Sequence, residues 1–231
     1  MLAKMPAPRA VLFDLDETLT DRTRSIERFA PEFAERFGFD LNGSEPDEIY
    51  RCILAGDGGG YASREDFCSH LQSSLRWRRV PSQNELLSFW RDRFPRCCIG
   101  RDGVASTLQA LHRRGLKLGV ITNGMTLSQN TKLDVLGIRP LLSVVVISEE
   151  VGIRKPDPRI FQMALDKLGV LAAETMFVGD NPLLDVAASR AVGLRGIWLN
   201  PRGDPPPQNG SCPESVAAVE QIIDLLNPSA E

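Results

Sequence analysis

Several polar residues of this 231-residue chain stand at, or just after, the ends of short apolar runs. Asp14 and Asp16 close the run Ala10–Phe13, Thr122-Asn123-Gly124 follows Ile121, and Gly179-Asp180-Asn181 follows Val178, with Asp185 a few residues on. Lys155-Pro156-Asp157 comes after the run Val144–Ile147. If Asp14, Asp16 and Asp180 were crowded together they would repel one another strongly without a cation. A hard, oxygen-preferring ion such as Mg2+ relieves that repulsion and keeps room for waters and a phosphate oxygen. Lys155 adds a point charge, and Thr122 and Asn123 add neutral donors. Such a set offsets the charge of a phosphoryl group, which otherwise repels an attacking carboxylate. The chemistry it suits is attack by Asp14 on phosphorus, giving an aspartyl-phosphate. Asp16 would protonate the leaving alkoxide and later take a proton from the water that hydrolyses the intermediate. Metal, lysine and amides would stabilise the equatorial oxygens.

Bringing these residues together requires a scaffold that ends several strands along one edge. Runs rich in Val, Ile and Leu recur at residues 10–13, 116–121, 144–147, 175–178 and 194–199. Their lack of alternation fits parallel strands buried on both faces. The segments 104–114, 130–136, 159–168 and 183–192 read as helices, and Gly115, Gly137, Gly169 and Gly193 fall where helix ends favour φ > 0. Strand alternating with helix predicts an α/β, Rossmann-like doubly wound parallel sheet. The C-terminal strand ends of such a sheet share one edge, so the polar elements converge on one crevice. Asn200–Pro213, with Pro205-Pro206-Pro207, reads as a loop, and Glu214–Leu226 as a final helix.

Residues 22–99 break that rhythm. Ile26, Phe29, Phe33 and Phe37 recur at helical spacing, and Pro31 is expected to kink or split their helix. Ser44, Ser63 and Ser82 each precede an acid by three residues and an apolar periodic run, which predicts capped helix starts. About four helices thus form a small bundle inserted after the first strand, over the place where open α/β sheets bind ligands. The expected division is a core of residues 1–21 and 100–231 and a helical cap of residues 22–99. Gly56–Arg64, a glycine-rich cap loop, has no preceding strand and no Lys-Ser/Thr after it, so it is read as a flexible loop reaching toward substrate and not as a P-loop.

Asp14-Leu15-Asp16-Glu17-Thr18-Leu19, Thr122-Asn123, Lys155-Pro156 and Gly179-Asp180 with Asp185 resemble the four ordered motifs of the haloacid dehalogenase (HAD) superfamily. The resemblance spans nearly the whole chain, and the insertion resembles the type-one cap. It implies a phosphatase in which Asp14 is the nucleophile and Asp16 the general acid and base. It further implies Mg2+ held by the Asp14 carboxylate, the Asp16 main-chain carbonyl and Asp180, with Asp185 in support, and a phosphoryl group held by Thr122, Asn123 and Lys155. Dehalogenating members lack an aspartate at the Asp16 position, which argues against that chemistry here. Each motif alone is weak, since Asp-x-Asp, Thr-Asn-Gly or Lys-Pro-Asp usually marks a turn or a helix start. Their order and their placement at strand ends carry the reading.

Composition narrows the remaining classes. A net charge of −3 lacks the broad basic field that nucleic acid or an anionic membrane draws on. Arg76-Trp77-Arg78-Arg79 is therefore read as a solvated helix end. The substrate expected is a small soluble phosphomonoester. No run approaches the ~18 apolar residues of a membrane span. The start shows no secretory signal, and five cysteines without a C-x-x-C pair suggest reduced thiols, so a cytoplasmic protein is expected. A phosphomutase would use the same Asp14 and differ in the acceptor it admits. A receiver-type phosphoacceptor module also has a strand-end aspartate and a lysine, but it has no helical insertion after its first strand and no use for Asp16.

Overall fold

A computed structural model of the chain describes residues 7–207 and 213–226. It divides into an α/β unit, formed by the chain up to Thr20 and from Gly100 onward, and a helical unit, Asp21–Ile99. Cys212 and the end of the expected loop, residues 208–212, lie outside the described residues.

The chain begins with β1 (Ala10–Phe13) and then enters the helical unit: α1 (Arg22–Phe37), α2 (Pro46–Asp57), α3 (Arg64–Ser74) and α4 (Gln83–Arg93). Phe29, Phe33, Phe37, Phe67 and Trp90 fill this unit's own core. Burying each such ring is worth about 1.5–3 kcal/mol. Pro31 does not break α1, which runs unbroken from Arg22 to Phe37. The Pro31 ring is exposed, and the residues that repeat toward the core hold the helix across the missing N–H. Ser63 and Ser82 cap α3 and α4, and Ser82 with Glu85 completes a capping box. Ser44 does not cap α2. Glu45 takes the N-cap place without a side-chain bond, because Pro46 at the first helical position fixes φ there and needs no N–H partner. After α2, Gly58, Gly59 and Gly60 all have positive φ. There Arg22, 8% exposed, grips the fully buried Asp57 through its guanidinium at 2.6 and 2.7 Å.

The α/β unit resumes with α5 (Val104–Arg113), β2 (Lys117–Thr122), α6 (Thr126–Val135), β3 (Val144–Ile147), the single turn α7 (Ser148–Val151), α8 (Pro158–Leu168) and β4 (Thr175–Gly179). A π-helical stretch, Pro182–Ala187, runs into α9 (Ala188–Ala191), followed by β5 (Arg195–Leu199) and β6 (Ser215–Val216). The six strands are all parallel, in the order β3-β2-β1-β4-β5-β6. Chain order reverses on either side of β1, which pairs with both β2 and β4, so the sheet's switch point lies at the end of β1. Alternation along β1 feeds both cores: Val11 and Phe13 pack on one face, Ala10 and Leu12 on the other. Thr20 and Gly100 form an antiparallel bridge, so the chain leaves and re-enters this unit at neighbouring points.

The end of the chain departs from expectation. Instead of one helix from Glu214 to Leu226, Ser215 and Val216 form the sixth strand, and Val219–Leu226 is a 3-10 helix. The main-chain N–H groups of Trp198 and Asn200 donate to Glu214 and Val216, both at 2.8 Å. The edge of β5 would otherwise present unpaired groups, and that gain outweighs the local helical pattern.

Candidate active site

Asp14 follows β1 directly and is only 6% exposed. Its main-chain N–H donates to Val178 O at 2.9 Å, which holds it at the junction of β1 and β4. Lys155 Nζ donates to Asp14 Oδ1 at 2.6 Å and to Asp185 Oδ1 at 2.7 Å. Carboxylate oxygens of Asp14, Asp180 and Asp185 lie within 4.8 Å of one another. Thr18 Oγ1 donates to Asp14 Oδ2 at 3.4 Å and accepts from the Asp180 main-chain N–H at 3.0 Å, linking the ends of β1 and β4. The Trp198 indole donates to Asp180 O at 2.8 Å. Asp185 comes this close because position 179 has no side chain: a Cβ on Gly179 would lie 2.4 Å from the Asp185 carboxyl carbon. The widened helical turn after Asn181 presents Asp185 inward, where its Oδ2 accepts from Asn181 N at 3.0 Å.

The charge is out of balance. Three carboxylates share one ammonium. Burial raises Asp14 to about 7; Lys155 pulls it down, and Asp185 and Asp16 push it up. Burial likewise raises Asp180 to about 8, reinforced by Asp14, Asp185 and Glu17. Burial works against the Lys155 ammonium, but Asp14 and Asp185 outweigh it, so Lys155 is shifted upward and stays charged. A cluster of hard oxygen donors with surplus negative charge suits a divalent cation such as Mg2+.

The structure places the remaining sequence-predicted residues around this cluster, with two differences. The three converging carboxylates are Asp14, Asp180 and Asp185, whereas the Asp16 carboxylate turns to Lys132 on α6, whose Nζ donates to Oδ1 at 2.6 Å and Oδ2 at 2.9 Å. The Asn123 side-chain amide is engaged by the Lys155 main chain. Its Nδ2 donates to Lys155 O at 3.0 Å, and its Oδ1 accepts from Lys155 N at 2.9 Å. Thr122 Oγ1 is buried and accepts from Gln129 Nε2 at 2.6 Å. Thr18, Gln129 and Lys132 were not found from sequence. Thr18 stood within the Asp14–Leu19 motif without a role of its own, and for Gln129 and Lys132 the available signal was weak: two polar residues three apart on a helix, each of a type that usually faces solvent. The segment's expected start at residue 130 also left Gln129 outside the helix.

Among the described cysteines, burial pushes Cys97 up to about 12, with Glu32 adding to the shift, and Cys52 up to about 11. Neither is an activated nucleophile.

Comparison with known proteins identifies the fold's lineage. The family model for haloacid dehalogenase-like hydrolases matches residues 8–193. A phosphoserine phosphatase from Thermus thermophilus is 47% identical over 93 residues, a stretch covering 40% of this chain and 37% of that protein. A glyceraldehyde 3-phosphate phosphatase from Methanocaldococcus jannaschii is 30% identical over 198 residues, 80% of this chain and 82% of its own length. The crystal structure of the putative HAD-hydrolase YfnB from Bacillus subtilis superposes with a TM-score of 0.76 at 21% identity, covering 96% of this chain and all of that one. The chain belongs to the haloacid dehalogenase-like hydrolases, on their phosphatase branch.

Proposed function

We propose that this member of the haloacid dehalogenase-like hydrolases is a Mg2+-dependent phosphatase acting on a small soluble phosphomonoester through an aspartyl-phosphate on Asp14. The observation that carries the reading is the buried Asp14 carboxylate at the sheet's switch point, fixed by Lys155 at 2.6 Å and flanked by Asp180 and Asp185. In this reading the Asp14 and Asp180 carboxylates and the Asp16 main-chain carbonyl hold Mg2+, and Asp185 supports them by fixing Lys155. The ion supplies charge neutralisation for the phosphoryl oxygens.

The chain's own residues do the rest. Lys155 and Thr18 each bond one oxygen of Asp14 and so orient the carboxylate for attack. Lys155 and the Thr122 hydroxyl hold the phosphoryl group. Asn123 contributes through its main chain, since its side chain latches the Lys155 backbone. Asp16 gives a proton to the departing oxygen and takes one from the incoming water. Residues 22–99 correspond to the family's cap, and residues 1–21 with 100–231 to its catalytic core. The names of the relatives, phosphoserine and glyceraldehyde 3-phosphate phosphatases, support a small phosphorylated metabolite as substrate. A cytoplasmic location belongs to the same proposal, supported by the free thiols of Cys52, Cys68 and Cys97. No helix among the described residues is long and apolar enough to cross a membrane.

The test is phosphate release from p-nitrophenyl phosphate with Mg2+, then from a panel of metabolite phosphates ranked by kcat/KM. Turnover by the wild type that survives in Asp14→Asn, or that is indifferent to chelation of divalent ions, would sink the reading.

A further inference from the structure

Asp16 is partly exposed. Its side chain is 30% exposed, yet its carboxylate is held at both oxygens. We propose that Lys132 and Gln129 are positioning residues for proton transfer, fixing the Asp16 carboxylate in the orientation from which it serves the leaving oxygen. The inference rests on the reading of Asp16 as general acid and base.

The geometry is that of a closed clamp. The Lys132 side chain is 6% exposed, and burying an ammonium is costly unless it is paired. Its Nζ donates to Asp16 Oδ1 at 2.6 Å, to Asp16 Oδ2 at 2.9 Å and to Gln129 Oε1 at 2.8 Å, which uses the three donors an ammonium has. That last bond fixes the Gln129 amide, so its Nε2 faces Asp16 Oδ2 at 2.9 Å and Thr122 Oγ1 at 2.6 Å. Gly124 leaves room for it: a Cβ there would lie 2.8 Å from the Gln129 amide carbon. α6 thus ties the proton carrier to the threonine of the phosphoryl grip. Left to itself, a partly exposed aspartate samples several rotamers, and proton transfer needs a heavy-atom separation of roughly 2.6–3.2 Å. A displacement of about 1 Å can cost on the order of a hundredfold in rate.

The experiment is a leaving-group series. kcat/KM is measured with Mg2+ for phosphates graded from p-nitrophenyl to simple alkyl esters, in the wild type, Lys132→Met, Lys132→Gln and Lys132→Arg. p-Nitrophenolate leaves without a proton, whereas an alkoxide needs one. In Lys132→Met and Lys132→Gln, kcat/KM for alkyl esters is expected to fall about 30–100-fold. For p-nitrophenyl phosphate it is expected to fall less than about threefold, and Lys132→Arg restores most of the alkyl rate. Retained aryl turnover also reports that the variants fold. An equal fall for aryl and alkyl esters in both variants, or no fall in either, overturns the inference. A wild type that releases no phosphate from any ester overturns the parent reading as well. A wild type that turns over, is silenced by Asp14→Asn, and has a Lys132→Met profile parallel to its own overturns the inference alone.

Discussion

Two buried aspartates in this protein are handled in opposite ways. Asp57 in the helical unit is fully buried and is met by two guanidiniums, Arg22 through two short parallel bonds and Arg64 at 3.8 Å. Asp14 in the α/β unit is nearly as buried, but its one ammonium is shared with Asp185, and Asp180 stands within 4.8 Å. The first arrangement is complete in itself. The second carries surplus negative charge, and burial and mutual repulsion lift Asp14 and Asp180 far above ordinary aspartates. A buried charge that is locally satisfied supports structure. One left in deficit marks a place where a ligand, here a cation, finishes the balance.

The sharpest way to break this contrast is a pair of isosteric changes. Asp14→Asn is expected to lower phosphatase kcat by roughly 10⁴-fold or more, measured by phosphate release. It should leave the metal-free melting temperature equal or higher, because it removes one of the crowded charges. Asp57→Asn removes the one carboxylate that answers the Arg22 and Arg64 guanidiniums, and a loss of about 3–5 kcal/mol is expected by denaturant unfolding. If both variants lost stability alike, the distinction between deficit and balance would not hold.

A third expectation concerns pH. Asp14 and Asp180 bind protons more readily when folded, near 7 and 8, than in the unfolded chain, where 3.8 applies. The stability they contribute in metal-free protein is full below about pH 4 and is lost as pH rises through 7 and 8. Thermal unfolding in chelator should show that decline. Mg2+ competes with those protons, so its stabilising effect should grow over the same interval, reaching about 2.7 kcal/mol at a hundredfold excess over Kd. A melting temperature in chelator that stays level from pH 4 to 8 would count against a charge deficit. The smallest effect belongs to the helical unit, where Ser82→Ala removes one arm of a capping box and should cost ~1 kcal/mol without changing kcat/KM for p-nitrophenyl phosphate.

How far the sequence reaches follows from how local each determinant is. β1 with Asp14 was legible because an apolar run ending in acids is a pattern within seven residues. The strand ends carrying Thr122 and Asp180 share that logic, and the positive φ at Gly115, Gly137, Gly169 and Gly193 needed only the end of a periodic run. β6 was not legible: Ser215 and Val216 are a strand because β5 offers them partners. The clamp on Asp16 was hidden for a related reason. Lys132 lies 116 residues from its acceptor, and only the parallel sheet brings α6 to the end of β1. The Asn123 latch shows the limit of motif reading, since the residue type suits a phosphoryl contact while its side chain is spent on Lys155.

The bridge between Thr20 and Gly100 has a consequence for how such chains diversify. Because exit and return are adjacent in space, the inserted segment acts as a removable module whose length and content are free of the sheet's register. Recombination could exchange it for a longer, shorter or differently folded segment while the strand that ends in Asp14 stays in place. New selectivity could then arise by replacement of a whole part, with the chemistry inherited intact.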